Sequence, residues 1–162
     1  NRMDKLERAL ERGTGDGGGV LVVVDGVFSM EGDLAPLPAL AHAAHAHGAT
    51  LVVDDAHGLG VLGSEGRSSC EHFGLGSAEV PVLVGTLGKA LGGASGGYTS
   101  GHKEIIALLR QRSRPYLFSN SIPPAIAAAS IAAMLVAGPY CDDWDVSTPI
   151  VRERLVTSAR AA

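Results

Sequence analysis

Three short runs of aliphatic, mostly β-branched residues constrain this 162-residue chain more than any other feature. They span Val20–Phe28 (VLVVVDGVF), Thr50–Val53 (TLVV) and Val80–Gly85 (VPVLVG). Such continuous runs predict strands that are buried on both faces, as in a parallel sheet. Helices are predicted between and around them, over Met3–Gly13, Pro36–Gly48, Gly101–Arg112 and Pro123–Gly138. Strands that alternate with helices predict an α/β fold with a mostly parallel sheet.

Polar residues follow each of the three predicted strands. Ser29 follows the first, the segment Asp54-Asp55-Ala56-His57 follows the second, and Thr86 to Lys89 follow the third. In parallel α/β sheets, functional groups gather beyond the carboxyl ends of the strands. If the three strands are neighbours, these polar groups converge on one candidate site.

Composition excludes several classes of function. The formal net charge is −4 and aromatic residues make up 4% of the chain, so neither a basic surface nor stacking platforms for nucleic acid are expected. Two cysteines, Cys70 and Cys141, form no disulfide framework and favour a reducing compartment. No apolar run is long enough to span a bilayer and no targeting segment is visible. We therefore predict no membrane partner and a cytoplasmic protein, or a mitochondrial one if the source is eukaryotic.

The glycine-rich stretch Val84–Gly101 (VGTLGKALGGASGGYTSG) contains a single lysine, Lys89. A phosphate-binding Walker loop requires glycine where Leu83 stands and Ser or Thr where Ala90 stands, so the stretch does not fit that motif. A flexible turn with an incidental lysine remains one interpretation. The other is a partly desolvated amine that forms an imine with an aldehyde such as pyridoxal phosphate (PLP).

PLP chemistry makes further demands that the other strand ends can meet. A carboxylate must hold the ring nitrogen protonated, a donor should bond the phenolate oxygen, and hydroxyl groups must hold the phosphate. Asp54, His57, Ser29 and Thr86 are residues of these types. A metal site built on Asp54, Asp55 and His57 is a weaker alternative, and the three histidines of the second predicted helix favour a solvated surface. We predict no metal.

Four sequence blocks make the PLP interpretation specific. DGVFSMEGDLAPL, VVDDAHGLGVLGSEGR, GTLGKALGGASGGYTSG and LLRQRSRPYLFSNSIPPA resemble, in this order, the α-oxoamine synthase family of fold-type I PLP enzymes. The resemblance covers about Met3 to Gly138. It implies part of an aspartate aminotransferase-like large domain, lacking an N-terminal segment and the C-terminal small domain.

The resemblance also implies a role for each candidate residue. Lys89 would carry the cofactor as an imine and later move protons at the substrate α-carbon. Asp54 would pair with the ring nitrogen, and His57 and Ser29 would bond the phenolate oxygen. Thr86 would bind the phosphate. Ser119 and Asn120 would reach the phosphate of the neighbouring subunit, which implies a homodimer with a shared active site.

Within the family, the third and fourth blocks look most like glycine C-acetyltransferase. That likeness implies condensation of glycine with acetyl-CoA to 2-amino-3-oxobutyrate, in threonine degradation. The segment DDAHGLGVLG instead resembles 8-amino-7-oxononanoate synthase, which uses alanine and a pimeloyl thioester in biotin synthesis. A non-catalytic fragment that dimerises with a full-length protein is a third alternative.

The chain is shorter than members of that family, and we expect it to be a fragment with little turnover. Residues 1–138 are predicted to form part of the PLP-binding large domain. Residues 139–162 lose the family resemblance and contain the single tryptophan, Trp144. We interpret them as an atypical tail, of the kind that a frameshift or a truncated gene would produce.

Overall fold

A computed structural model describes residues 2–13, 18–93 and 95–137, so the predicted tail lies outside the described residues. Its four strands are β1 (Leu21–Asp25), β2 (Thr50–Asp54), β3 (Val82–Thr86) and β4 (Gly97–Gly101). Its six helices are α1 (Met3–Gly13), α2 (Leu37–Ala46), α3 (Ser69–Phe73), α4 (Lys103–Arg112), α5 (Arg114–Phe118) and α6 (Pro124–Ala137). Among the described residues, no helix has both the length and the apolar character needed to cross a membrane.

The strands form one sheet in the order β1-β2-β3-β4. β1 pairs with β2 and β2 pairs with β3 in parallel, whereas β3 pairs with β4 in antiparallel orientation. This confirms the prediction of an α/β fold with a mostly parallel sheet. Asp25 lies opposite Asp54, and Asp54 lies opposite Val84, so the first three strands end at the same edge.

The main core lies on one face of the sheet, against α1 and α2. Leu51 and Val53 of β2 are buried there together with Leu10 of α1 and with Leu37 and Leu40 of α2. α2 begins after Pro36, and the chain leaves it through Gly48, whose φ of +64° favours glycine. This packing fixes the carboxyl end of β2, where the candidate site begins.

The prediction that β1 is buried on both faces is wrong. Its side chains alternate, with Val22 buried while Leu21 and Val23 are 66% and 68% exposed. The reason is that β1 is the edge strand, and no described helix covers Leu21 and Val23 on the second face. The strand also ends earlier than predicted, because the backbone turns at the buried Gly26.

Three short elements are absent from the sequence prediction: α3, α5 and β4. β4 reads GYTSG and lacks the aliphatic residues that indicate a strand. It forms because the backbone of β3 is available for pairing and because Gly85 leaves room for the ring of Tyr98 directly opposite. A Cβ at Gly85 would lie 2.6 Å from that ring.

Candidate cofactor site

The carboxyl ends of β2 and β3 bring Lys89 and His57 together. The Lys89 amine lies 2.9 Å from Nε2 of His57, although the two residues are 32 positions apart in the chain. Lys89 is exposed, and His57 is half-buried in a turn that directly follows β2. A primary amine in contact with an imidazole can exchange a proton with it, which is the arrangement that an amine nucleophile or a proton carrier needs.

Asp54 and Thr86 lie at the last positions of β2 and β3. One carboxylate oxygen of Asp54, Oδ1, accepts a hydrogen bond of 3.0 Å from the Ala56 amide. That is the one hydrogen bond to this carboxylate within the described parts of the chain. The Thr86 hydroxyl donates to the Gly96 carbonyl at 3.0 Å and accepts from the Gly88 amide at 3.3 Å, so it holds the base of the loop that carries Lys89.

The other three candidates are exposed and lie in segments after β1 and α5. Ser29 is exposed in a turn beyond β1, which the Gly32 amide closes by donating to the Phe28 carbonyl. Ser119 and Asn120 are exposed just after α5. No hydrogen bond joins any of the three to Lys89, His57 or Asp54 in the described parts of the chain.

Asp55 is a residue of the site region that the sequence analysis considered only as a possible metal ligand. Its side chain is fully buried, and Oδ2 accepts a hydrogen bond of 2.9 Å from the Ser69 amide at the start of α3. Burial raises the pKa of Asp55, the nearby hydroxyl and amide of Ser69 oppose that rise, and the charge of Asp54 adds to it. The alternation of side chains along a strand could have indicated its burial. Asp55 continues the series Leu51 and Val53, whose side chains are buried on one face of the sheet.

Of the two cysteines, Cys70 lies within the described residues, and it is buried in the hydrophobic core. Burial raises the pKa of its thiol to about 12. A thiol in this state is an inert packing group rather than a nucleophile. Among the residues that the structure describes, no three His, Cys, Asp or Glu side chains are placed to hold a metal ion.

The residues present fit PLP by their chemistry. The group offers a primary amine at Lys89, a carboxylate at Asp54, an imidazole at His57 and a hydroxyl at Thr86, all at one edge of the sheet. An amine for the aldehyde and a carboxylate for the ring nitrogen are the two groups that PLP chemistry requires from a protein. The exposure of Lys89, Gly88 and Ala90 leaves this edge open to a ligand.

Comparison with known proteins agrees with this chemistry. The family model of aminotransferase class I and II matches residues 1–143. An 8-amino-7-oxononanoate synthase of Methylococcus capsulatus is 62% identical over 110 residues, which cover 68% of this chain and 28% of the relative. The chain spans about a third of the length of the curated relatives it matches.

Two solved structures are also similar. Serine palmitoyltransferase of Sphingomonas wittichii superposes with a TM-score of 0.72 at 35% identity, covering 84% of this chain and 34% of that one. A serine palmitoyltransferase variant from S. paucimobilis with a bound PLP–myriocin aldimine gives a TM-score of 0.71 at 34% identity, covering 81% and 33%. The named relatives do not support glycine C-acetyltransferase or threonine degradation specifically.

Proposed function

Since the chain belongs to the aminotransferase class I and II family, and within it to the PLP-dependent α-oxoamine synthases, we propose that it is part of an 8-amino-7-oxononanoate synthase. The proposed reaction joins the α-carbon of alanine to the acyl carbon of a pimeloyl thioester in biotin synthesis, with release of the thiol and of the alanine carboxyl group as carbon dioxide. The observation that carries the choice is the 62% identity to an 8-amino-7-oxononanoate synthase, over a segment that makes up 68% of this chain.

The four clustered residues have distinct roles in this proposal. Bound PLP supplies an electron sink that stabilises negative charge at the α-carbon of the amino acid. Lys89 would hold the cofactor aldehyde covalently, and Asp54 would keep a proton on the ring nitrogen. His57 would bond the phenolate oxygen from the position in which it now contacts Lys89. The Thr86 hydroxyl, which now donates to the Gly96 carbonyl, would exchange that acceptor for a phosphate oxygen.

Lys89 has a second role once its amine is free. It would take the proton from the substrate α-carbon and return a proton after the new carbon–carbon bond has formed. His57, whose Nε2 lies 2.9 Å from the Lys89 amine, would accept or supply that proton. Gly88 directly before Lys89 and Ala90 directly after it are small, so neighbouring side chains would leave room for this movement.

Ser29 remains a proposed contact to the phenolate oxygen, and Ser119 and Asn120 remain proposed contacts to the phosphate of the neighbouring subunit. Ser119 and Asn120 follow an exposed helix, α5, on which Leu117 and Phe118 are 47% and 79% exposed. Large exposed apolar side chains next to polar ones are typical of a subunit interface. This supports a homodimer in which Ser119 and Asn120 serve the partner's cofactor.

The test of the cofactor assignment is covalent trapping. The whole chain is incubated with PLP, reduced with borohydride and digested, and the modified lysine is located by mass spectrometry. Wild type and Lys103→Ala, which lacks an exposed lysine on α4, should carry the label at Lys89, and Lys89→Ala should carry none. Equal labelling of Lys89→Ala would overturn the assignment of Lys89.

The test of the substrate is a panel of amino acids added to the PLP-loaded chain. Alanine should change the cofactor absorbance at lower concentration than glycine or serine. A preference for glycine would favour the glycine C-acetyltransferase alternative, and a preference for serine would favour a serine palmitoyltransferase.

A further inference from the structure

Asp55 is the one fully buried carboxyl among the described residues, and it lies between two residues of the candidate site in the chain, Asp54 and His57. Burying a carboxyl is costly, so a structure keeps one where its oxygens accept a hydrogen bond that an apolar side chain could not accept. The bonds made by Asp55 therefore indicate its role.

The backbone of Asp55 fixes the turn that carries His57. Its amide donates to the Val84 carbonyl at 2.8 Å, which ties the end of β2 to β3. Its carbonyl accepts from the amides of Gly58 and Leu59, at 3.1 and 2.9 Å, and these bonds close the turn around His57. Any residue could make these bonds, so they do not explain the carboxyl.

The side chain of Asp55 fixes the segment beyond the turn. Oδ2 accepts from the Ser69 amide, 14 positions further along the chain, and so closes the long loop that begins at His57. Ser69 is the first residue of α3, where the amide has no partner within the helix. A hydrogen bond at the loop's closing point limits the conformations of everything inside it.

The packing around this carboxyl is tight. A Cβ on Gly26 would collide with the Ser69 hydroxyl and lie 2.5 Å from Oδ1 of Asp55, and a Cβ on Gly58 would collide with the same oxygen. Two glycines from different segments thus make room for Asp55. Its Oδ1 and the Ser69 hydroxyl have no hydrogen-bond partner in the described structure, which leaves the Oδ2–amide bond as the anchor.

We propose that Asp55 is a positioning residue whose buried carboxyl, by holding the Ser69 amide, sets His57 against Lys89. The inference rests on the proposed function only in placing this contact in a cofactor site. The contact itself exists without cofactor, so it is measured on the chain alone. Failure of PLP labelling and failure of this inference are then separate results.

The experiment measures by NMR how much Lys89 changes the chemical shifts of the His57 ring. The ring signals of His57 are assigned by their loss in His57→Gln. They are recorded with and without Lys89→Met, and the difference in chemical shift between the two is the shift that reports the contact. Asp55→Ala and Ser69→Pro should abolish that shift, because the first removes the acceptor and the second removes the amide hydrogen. Proline suits the first position of a helix, and the extended backbone of Ser68 suits the residue before it.

Two matched variants should keep the shift. Ser69→Ala removes the hydroxyl but keeps the amide, and Asp55→Asn keeps an acceptor oxygen. Melting temperatures are recorded in parallel, since a purely structural role would lower them without changing the effect of Lys89 on the His57 chemical shifts. A shift that persists in Ser69→Pro, that is lost in Ser69→Ala, or that is absent in wild type would overturn the proposal. If Asp55→Ala does not fold, the comparison of Ser69→Pro with Ser69→Ala decides.

Discussion

The two loops that form the candidate site are held in different ways. The loop after β2, residues 55–68, is anchored by hydrogen bonds from side chains. The Asp55 carboxylate accepts from the Ser69 amide, and the Ser68 hydroxyl caps α3. The Glu71 carboxylate accepts three further hydrogen bonds from this loop, from the Ser64 hydroxyl and the Glu65 and Arg67 amides. The loop after β3, residues 87–96, is held mainly at its base. There the Leu87 amide donates to the Gly96 carbonyl and the Gly93 amide donates to the Leu87 carbonyl, at 2.9 and 2.7 Å.

This difference matches the roles that we propose for the two loops. His57 makes its contact from one position, so a loop fixed by side chains serves it. Lys89 must reach both the cofactor and the substrate α-carbon, so its loop is fixed at the base and exposed at Lys89. The comparison predicts that equivalent substitutions cost more in the first loop than in the second.

The largest effect is expected from Gly58→Ala in the first loop. Its Cβ would collide with the buried Asp55 carboxyl, which overpacks the site, and we expect a loss of about 3 kcal/mol in the free energy of unfolding. The matched change in the second loop is Gly92→Ala. Gly92 has open space around it and a φ of +70°, so the expected loss is about 1 kcal/mol from backbone strain alone. Urea unfolding of both variants measures the difference, and equal losses would contradict the comparison.

A second, intermediate effect concerns pH. Because burial raises the pKa of Asp55, the unfolded chain releases this proton at a lower pH than the folded chain. The folded state therefore binds more protons above the ordinary value of 3.8, and its stability falls as pH rises from there through the folded-state pKa.

Asp55→Asn removes this titration. Relative to wild type, the variant should gain stability as pH rises over that window, in urea unfolding series at several pH values. A difference between variant and wild type that stays constant with pH would show that Asp55 does not titrate differently in the two states. Since the second loop has no buried carboxyl among its described residues, this pH dependence belongs to the first loop.

The smallest effect is expected on the surface of the first loop. Arg67 and Glu65 form an ion pair of 2.6 Å, but the Glu65 side chain is 55% exposed. Glu65→Gln should therefore change the free energy of unfolding by less than about 0.5 kcal/mol, and less still at high salt. A loss comparable with that of Gly92→Ala would mean that surface charges, not only buried groups, hold this loop.

Much of the fold was predictable from local pattern. The aliphatic runs located β1, β2 and β3 within a few residues, and the helices α1, α2, α4 and α6 lie where composition and proline or glycine boundaries predicted them. β4 was not predictable, because Gly97–Gly101 has no strand pattern of its own and depends on β3 beside it. α3 and α5, at five residues each, are too short to show a helical period.

The candidate site divides in the same way. The sequence by itself determined which chemical groups are available, because Lys89, Asp54, His57 and Thr86 directly follow or end recognisable strands. Only the tertiary structure decided that Lys89 and His57 touch and that Asp55 is buried. The physical reason is that residue type and strand ends are local properties. A contact across 32 positions, or a carboxyl enclosed by two glycines, arises only when separate segments pack together.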